Sequence, residues 1–246
     1  GNENLSEIGP MAFMNCSKLT KVTLHCPQIG AQAFMNCTSL TTFNHVGEKL
    51  AGFTFRMFYN CSKLTTISTK LTFDDKPIIG IEAFMNCTKL ASVDIKVDET
   101  LFNQWPIGRR IEFDKQLNEQ ESFEYLRHQY YLSIFQRAFM NCTSLTTVKI
   151  DFKHLRFILD EAFANCRCLN SIVINSRYWG SEIKSRRDLK FNLNLSFYKE
   201  TTFKDTSKDL TIQNGSEKLQ VHSLPKTDDQ GLSYNHPSKL TTNLFE

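Results

Sequence analysis

Residues 79–93 read Ile79-Gly80-Ile81-Glu82-Ala83-Phe84-Met85-Asn86-Cys87-Thr88-Lys89-Leu90-Ala91-Ser92-Val93, and an almost complete second copy runs from Ile29 to Phe43. The inner word Ala-Phe-Met-Asn-Cys starts at Ala12, Ala33, Ala83 and Ala138, with looser copies at Met57–Cys61 and Ala162–Cys166. Its Phe stands at 13, 34, 58, 84, 139 and 163, giving steps of 21, 24, 26, 55 and 24 residues. Six such words do not arise by chance, so self-similarity decides the fold before any local propensity is weighed. The step of 55 reads as one repeat of about 25 residues plus an insertion of about 30.

Each word continues in the same way. After Cys come Leu-x-x-apolar-x-apolar, as in Leu90, Val93 and Ile95 or Leu145, Val148 and Ile150. The last two apolar positions alternate with polar ones, the period of a strand with one buried face. Before Phe lies an apolar pair spaced by three, as in Leu50/Phe53 and Leu155/Ile158, and Gly9, Gly30 and Gly80 follow the second member in three copies. Glycine there is expected to take positive φ in a turn. The Ala-Phe-x-Asn-Cys segment is too short for a stable helix and is expected to form one helical or 3₁₀ turn. One unit cannot bury its own apolar face. Stacked at about 4.8 Å, the strands form a parallel sheet and like side chains form continuous core ladders. The expected fold is an α/β-type repeat solenoid: a leucine-rich repeat stack with a parallel β-sheet, short helical or 3₁₀ turns, one insertion and a β-rich C-terminal cap. Steps of 20–29 residues are the usual period of that repeat class.

The word Ile-Gly-x-x-Ala-Phe-x-x-Cys-x-x-Leu-x-x-Val, as it stands at Ile79–Val93, resembles the BspA-like leucine-rich repeat. The resemblance covers roughly residues 5–174 without the insertion. It implies a bacterial or protozoan surface protein, in some members an adhesin, located outside the cell or on its surface. The shared word is structural and assigns no functional residue.

The repeat register also explains residues that look chemical. Eight cysteines suggest a disulfide framework or a metal site. Six of them (Cys16, Cys37, Cys61, Cys87, Cys142 and Cys166) hold one equivalent position. They are expected to form a buried column of small apolar thiols whose parallel Cβ vectors disfavour bridging. No Cys-x₂-Cys pair is present, so zinc is not expected, and no cofactor is implied. Asn15, Asn36, Asn60, Asn86 and Asn141 each begin an Asn-Cys-Ser/Thr triplet, formally a glycosylation acceptor. Their recurrence in register favours a turn-closing side chain instead. The six His sit in unrelated contexts, and no G-x-S-x-G, H-E-x-x-H or phosphate loop occurs. The reading is therefore non-enzymatic.

Net charge is +3, from 29 Lys and Arg against 26 Asp and Glu. That is too little to indicate nucleic acid or an anionic membrane. No apolar run reaches the ~18 residues of a membrane span. Gly1-Asn2-Glu3-Asn4 has no basic head followed by an apolar run, so no signal peptide is expected here. Because repeat words are under way by Leu5, further sequence upstream is expected.

Two surfaces remain as candidates for binding. The first is the outward row of the strands: Lys21, Thr23, Thr42, Asn44, Thr66, Ser68, Ser92, Asp94, Thr147 and Lys149, continued by Ser171 and Val173. Such a row is either a solvated Thr/Ser ladder or a broad polar face for a partner. The second is the insertion, about 96–133, with Phe102, Trp105, Phe123 and Tyr125 among many charges. It is either a loop stapled to the flank or a binding feature. The chain divides into a solenoid, 1–174, and a C-terminal cap and β-rich tail, 175–246. In the tail Leu189–Phe197 alternates as a strand, and Leu210–Ile212 and Leu219–Val221 look like short ones. The functional expectation is a binding scaffold for a host or matrix protein. The alternatives are a structural spacer without its own ligand and a glycan-binding module.

Overall fold

The computed structural model describes residues 5–46, 50–72, 79–98, 133–152, 155, 157–175, 200–214 and 216–221. Each repeat word places one strand in the main sheet, short strands of a second ladder lie between them, and twelve strands are described. These are β1 (Glu7–Ile8), β2 (Lys21–Leu24), β3 (Gln28–Ile29), β4 (Thr42–His45), β5 (Thr66–Thr72), β6 (Ser92–Asp98), β7 (Ser133–Ile134), β8 (Thr147–Asp151), β9 (Phe157–Ile158), β10 (Ser171–Ile174), β11 (Thr211–Asn214) and β12 (Glu217–Gln220). The main sheet runs β2-β4-β5-β6-β8-β10-β11-β12. Neighbours from β2 to β11 pair in parallel, and β12 closes the row antiparallel to β11. The register follows the repeat: Ser92 lies opposite Thr66 on one side and Thr147 on the other. The insertion therefore leaves the stack undisturbed, since β6 pairs directly with β8.

The apolar pair ahead of each Phe builds a second, narrower ladder. Ile8 pairs with Ile29, and Ile134 with Ile158. Single bridges join Phe53 to Ile79 and Ile79 to Ile134. The core lies between this ladder and the main sheet. There the repeated phenyl rings stack face to face, with centroids 5.3 Å apart for Phe13–Phe34, 5.5 Å for Phe34–Phe58, 5.4 Å for Phe58–Phe84, 5.2 Å for Phe84–Phe139 and 5.1 Å for Phe139–Phe163. Fully burying each ring contributes on the order of 2–3 kcal/mol, and parallel stacking adds to it.

The Ala-Phe-x-Asn-Cys segment forms turns closed by i→i−3 bonds that do not continue as a helix. In the fourth coil Met85 N–H donates to Glu82 and Cys87 N–H to Phe84 within the coil, while Phe84 and Asn86 N–H donate to Ala138 and Met140 of the next. This alternation requires a left-handed residue on either side of each Phe. The first set is Met11, Gln32, Arg56, Glu82, Arg137 and Glu161, with φ from 50° to 59°, and the second is the repeated Asn, with φ from 60° to 65°. The expectation that Gly9, Gly30 and Gly80 take positive φ is thus corrected: the left-handed turn falls two residues later. Gly30 and Gly80 answer a different need. A Cβ on Gly30 would sit 2.4 Å from Pro10 N, and one on Gly80 2.8 Å from the Phe53 carbonyl oxygen, because adjacent coils touch there backbone to backbone.

The described part of the tail adds a layer that the repeat word does not announce. A 3₁₀ turn, Glu200–Phe203, sets the Phe203 ring 5.7 Å from Phe163. Phe163 and Asn165 N–H donate to Thr202 and Lys204 as they would to a following coil. Asp205, at φ 56°, stands where the other coils have Asn. The short strands expected near Leu210–Ile212 and Leu219–Val221 appear as β11 and β12. Residues 189–197, expected as a strand, lie outside the described residues.

Candidate interaction surface

The turn side of each coil is occupied by contacts between coils. The cysteine column is buried except for Cys16, which is half-buried, and all eight cysteines are free thiols. Each buried member donates its S–H to the Phe carbonyl of the coil before it: Cys37 to Phe13, Cys61 to Phe34, Cys87 to Phe58 and Cys142 to Phe84, all at 3.1 Å, and Cys166 to Phe139 at 3.0 Å. Burial pushes the Cys37 thiol up to about 11, holds Cys61, Cys87 and Cys166 higher still, and raises Cys142 well above its ordinary value. These are not nucleophiles, because the thiolate is the reactive form.

The repeated Asn closes its turn through backbone conformation, and its side chain reaches across coils instead of capping its own turn. Asn36 Nδ2 donates to Asn15 Oδ1 at 2.9 Å, Asn60 to Asn36 at 3.1 Å, Asn141 to Asn86 at 2.8 Å and Asn165 to Asn141 at 2.9 Å. Beside this ladder runs a charge ladder that the sequence reading missed. Glu82 pairs with Arg56 Nε at 2.6 Å and with Arg137 Nη1 at 3.7 Å, and Arg137 Nε pairs with Glu161 at 2.6 Å. Hydrogen bonding to Glu161 raises Arg137 above its ordinary range. Alternating signs at the Phe−2 position (Arg56, Glu82, Arg137, Glu161) were the available signal.

The sheet side carries the expected outward row. Lys21, Thr23, Asn44, Thr66, Ser68 and Lys149 are exposed, and Thr42, Ser92, Asp94, Thr147, Ser171 and Val173 are half-buried. Register brings them into two lines. Lys21, Thr42, Thr66, Ser92, Thr147, Ser171 and Thr211 form one. In the other, Thr23 lies beside Asn44, and Ser68, Asp94, Lys149, Val173 and Gln213 follow in order. The charges on this face are mixed: Asp94 faces Lys149 and Lys96 faces Asp151, while Lys70 stands opposite Lys96 and its Nζ lies 2.8 Å from Asp98. A preceding Thr row is tied down by its own hydroxyls, with Thr41 donating to Thr20 O and Thr146 to Ala91 O, both at 2.9 Å. The arrangement is a nearly neutral array, mostly of short polar side chains, held in register by parallel strands. Phe102, Trp105, Phe123 and Tyr125 of the insertion lie outside the described residues.

At the edge of the sheet His45 Nε2 donates to Cys26 O at 2.8 Å, and burial lowers the His45 pKa. Among the described residues no cluster of His, Cys, Asp and Glu is arranged to hold a metal ion, and no helix is long and apolar enough to cross a membrane.

The BspA type leucine rich repeat region matches this sequence in 6 copies, over residues 2–105, 69–183 and 128–228. No curated protein matches it. Among solved structures it is similar to a leucine rich repeat protein of T. pallidum, at 20% identity and a TM-score of 0.38, covering 67% of this chain and 71% of that one. It is similar also to a leucine rich cell surface protein from Faecalibacterium prausnitzii A2-165, at 20% identity and 0.35, covering 69% of this chain and 52% of that one. A leucine-rich repeat protein from Bacteroides ovatus ATCC 8483 matches at 19% identity and 0.28, covering 70% of this chain and 59% of its own length. The chain thus spans less than two thirds of the last two proteins.

Proposed function

The chain belongs to the BspA-type leucine-rich repeat family, and from that premise we propose that it is a non-enzymatic binding scaffold, secreted or on the cell surface, that engages a host or extracellular-matrix protein. The observation that carries the reading is the outward face of the main sheet. Seven parallel-paired strands, β2 to β11, hold polar side chains in fixed lines, and the solenoid faces of repeat proteins serve as extended binding surfaces. We place the contact on Lys21, Thr23, Thr42, Asn44, Thr66, Ser68, Ser92, Asp94, Thr147 and Lys149, with Phe102, Trp105, Phe123 and Tyr125 of the insertion as a second contact. Residues 1–174 form the binding solenoid in this reading, and 175–246 its cap and tail.

Near-neutral charge on the sheet favours a partner held by hydrogen bonds and shape over one steered by a strong field. The test uses a panel of immobilised matrix proteins. Thr66→Arg with Thr147→Arg and Lys149→Glu forms one arm, and deletion of residues 98–130 the other. A drop of at least about tenfold in affinity in either arm, with unchanged thermal unfolding, supports the reading, since about 1.4 kcal/mol is tenfold. Affinity unchanged in both arms refutes it and leaves a spacer without its own ligand. Binding confined to a glycan array would assign the face to carbohydrate.

A further inference from the structure

The position after the repeated Phe is Met in four of six coils: Met14, Met35, Met85 and Met140. All four are half-buried on the turn side. They form two adjacent pairs, because Phe13 stacks on Phe34 and Phe84 on Phe139. Two residues after each stands the repeated Cys, half-buried at Cys16 and buried at Cys37, Cys87 and Cys142. Two kinds of oxidisable sulfur therefore recur in these coils, a thioether on a half-buried side chain and, in three of the four, a buried thiol.

We propose that the methionine row is a modification site: it accepts oxygen from a two-electron oxidant, hydrogen peroxide or hypochlorous acid, while the five buried thiols of the cysteine column stay reduced and the stack stays folded. With peroxide the thioether sulfur attacks one peroxide oxygen, the O–O bond breaks, and sulfoxide and water result. Sulfur gives up two electrons, and peroxide takes them. A thioether has no proton to lose, so its reactivity needs only access and is insensitive to the charge around it. A thiol needs the thiolate. At a pKa of about 11, only about one Cys37 in ten thousand is ionised at pH 7. Each of the five buried column thiols also has its S–H directed to a Phe carbonyl of the coil before it. Burial by itself is separated from chemistry by Met57, a sixth methionine that is fully buried.

Sulfoxide adds a polar oxygen to side chains that are already half-buried rather than buried, and at Met35 the sulfur already accepts a hydrogen bond from Gln32 Nε2 at 3.6 Å. The coils are joined by backbone amides and stacked Phe rings, so the solenoid survives. The row would then change from apolar to polar as a unit, on a side of the coil separate from the sheet face.

The whole protein is treated with graded hydrogen peroxide, unfolded, alkylated and mapped by peptide mass. The expected result is a gain of one oxygen at each of Met14, Met35, Met85 and Met140, and at exposed Met11, before Met57 reacts. Cys37, Cys61, Cys87, Cys142 and Cys166 remain fully alkylatable, and the far-ultraviolet circular dichroism is unchanged. The variant M14L/M35L/M85L/M140L should take up four fewer oxygens. The proposal is overturned if Met57 oxidises as fast as the row, if the column thiols are lost alongside it, or if oxidation at the row unfolds the protein.

Discussion

The turn side and the sheet side of a coil share one backbone stack yet use their polar side chains in opposite ways. On the turn side each Asn carboxamide and each buried Cys thiol is bonded to the neighbouring coil. On the sheet side the inward residues repeat as Val93 and Ile95 or Val148 and Ile150, and the outward ones change from coil to coil: Lys21, Thr42, Thr66, Ser92, Thr147, Ser171. A side chain whose partner is its own counterpart one coil away must keep its identity, because altering one coil breaks two contacts. A side chain that points outward carries no such constraint. Specific recognition therefore belongs on the sheet, and changes on the turn side should act through stability.

The largest break in that contrast should come from pH. The five buried thiols have folded pKa values raised above an ordinary value of 9.0. The folded chain therefore keeps protons that the unfolded chain gives up. The stability this represents is whole below pH 9 and is lost as pH rises above it. At pH 10 each column thiol costs on the order of 1 kcal/mol and the five together several kcal/mol, a sizeable share of the whole stability of many domains. Urea midpoints measured under reductant should stay level from pH 7 to 8.5 and then fall steeply. Cys142→Ala should recover about a fifth of that alkaline loss, while a midpoint that is flat to pH 10 would mean the column is not buried.

Next in size is the ring stack. Phe84 is fully buried between Phe58 and Phe139. Phe84→Ala should cost about 3–5 kcal/mol. Phe13 carries the same word but is 37% exposed and stacks on Phe34 alone, so Phe13→Ala should cost less than half as much. Equal losses in chemical denaturation would remove the nearest-neighbour account of the stack. Third is the Asn ladder. Asn141→Ala puts at φ 64° a residue that tolerates the left-handed region less well than Asn, and removes bonds to Asn86 and Asn165, for a loss of about 2–3 kcal/mol. Asn141→Gly relieves the backbone and should lose only about 1 kcal/mol. If both variants lose the same amount, the amide ladder rather than the turn geometry sets the requirement for Asn.

How much of this could be read from letters follows the same division. Columns that depend on side-chain identity were legible: Phe, Cys and the alternating strand residues fixed the sheet register and the thiol column. Features that depend on the backbone were not. The left-handed residue two places before Phe is Met11, Gln32, Arg56 or Glu82, side chains with nothing in common, so no word marks it, and the nearby glycines drew the turn to the wrong residue. The layer at Phe203 escaped because Thr202-Phe203-Lys204-Asp205-Thr206 replaces Ala, Asn and Cys together. The usable signal there was Phe-x-Asp ahead of Leu210-Thr211-Ile212, since Asp is one of the few residues that tolerates a left-handed turn. The sheet face was placed by alternation alone, which locates a surface and says nothing about what meets it.

The smallest stability effect, and the one that sharpens the contrast most, is expected on that face. Thr66 is exposed, with Ser92 beside it in the outward line. Thr66→Lys adds a charge at a position whose side chain leaves the stack and exchanges a strand-favouring residue for a less favoured one, on a scale that spans about 1 kcal/mol. The unfolding free energy should fall by no more than about 1 kcal/mol. The neighbouring Ile67 points inward and is buried, so Ile67→Ala, one residue along the same strand, should cost about 2–5 kcal/mol. The pair separates the two faces within one strand, with no change of coil or register. If Thr66→Lys destabilises as Ile67→Ala does, the outward line belongs to the fold, and the sheet loses its claim as the surface free to specialise.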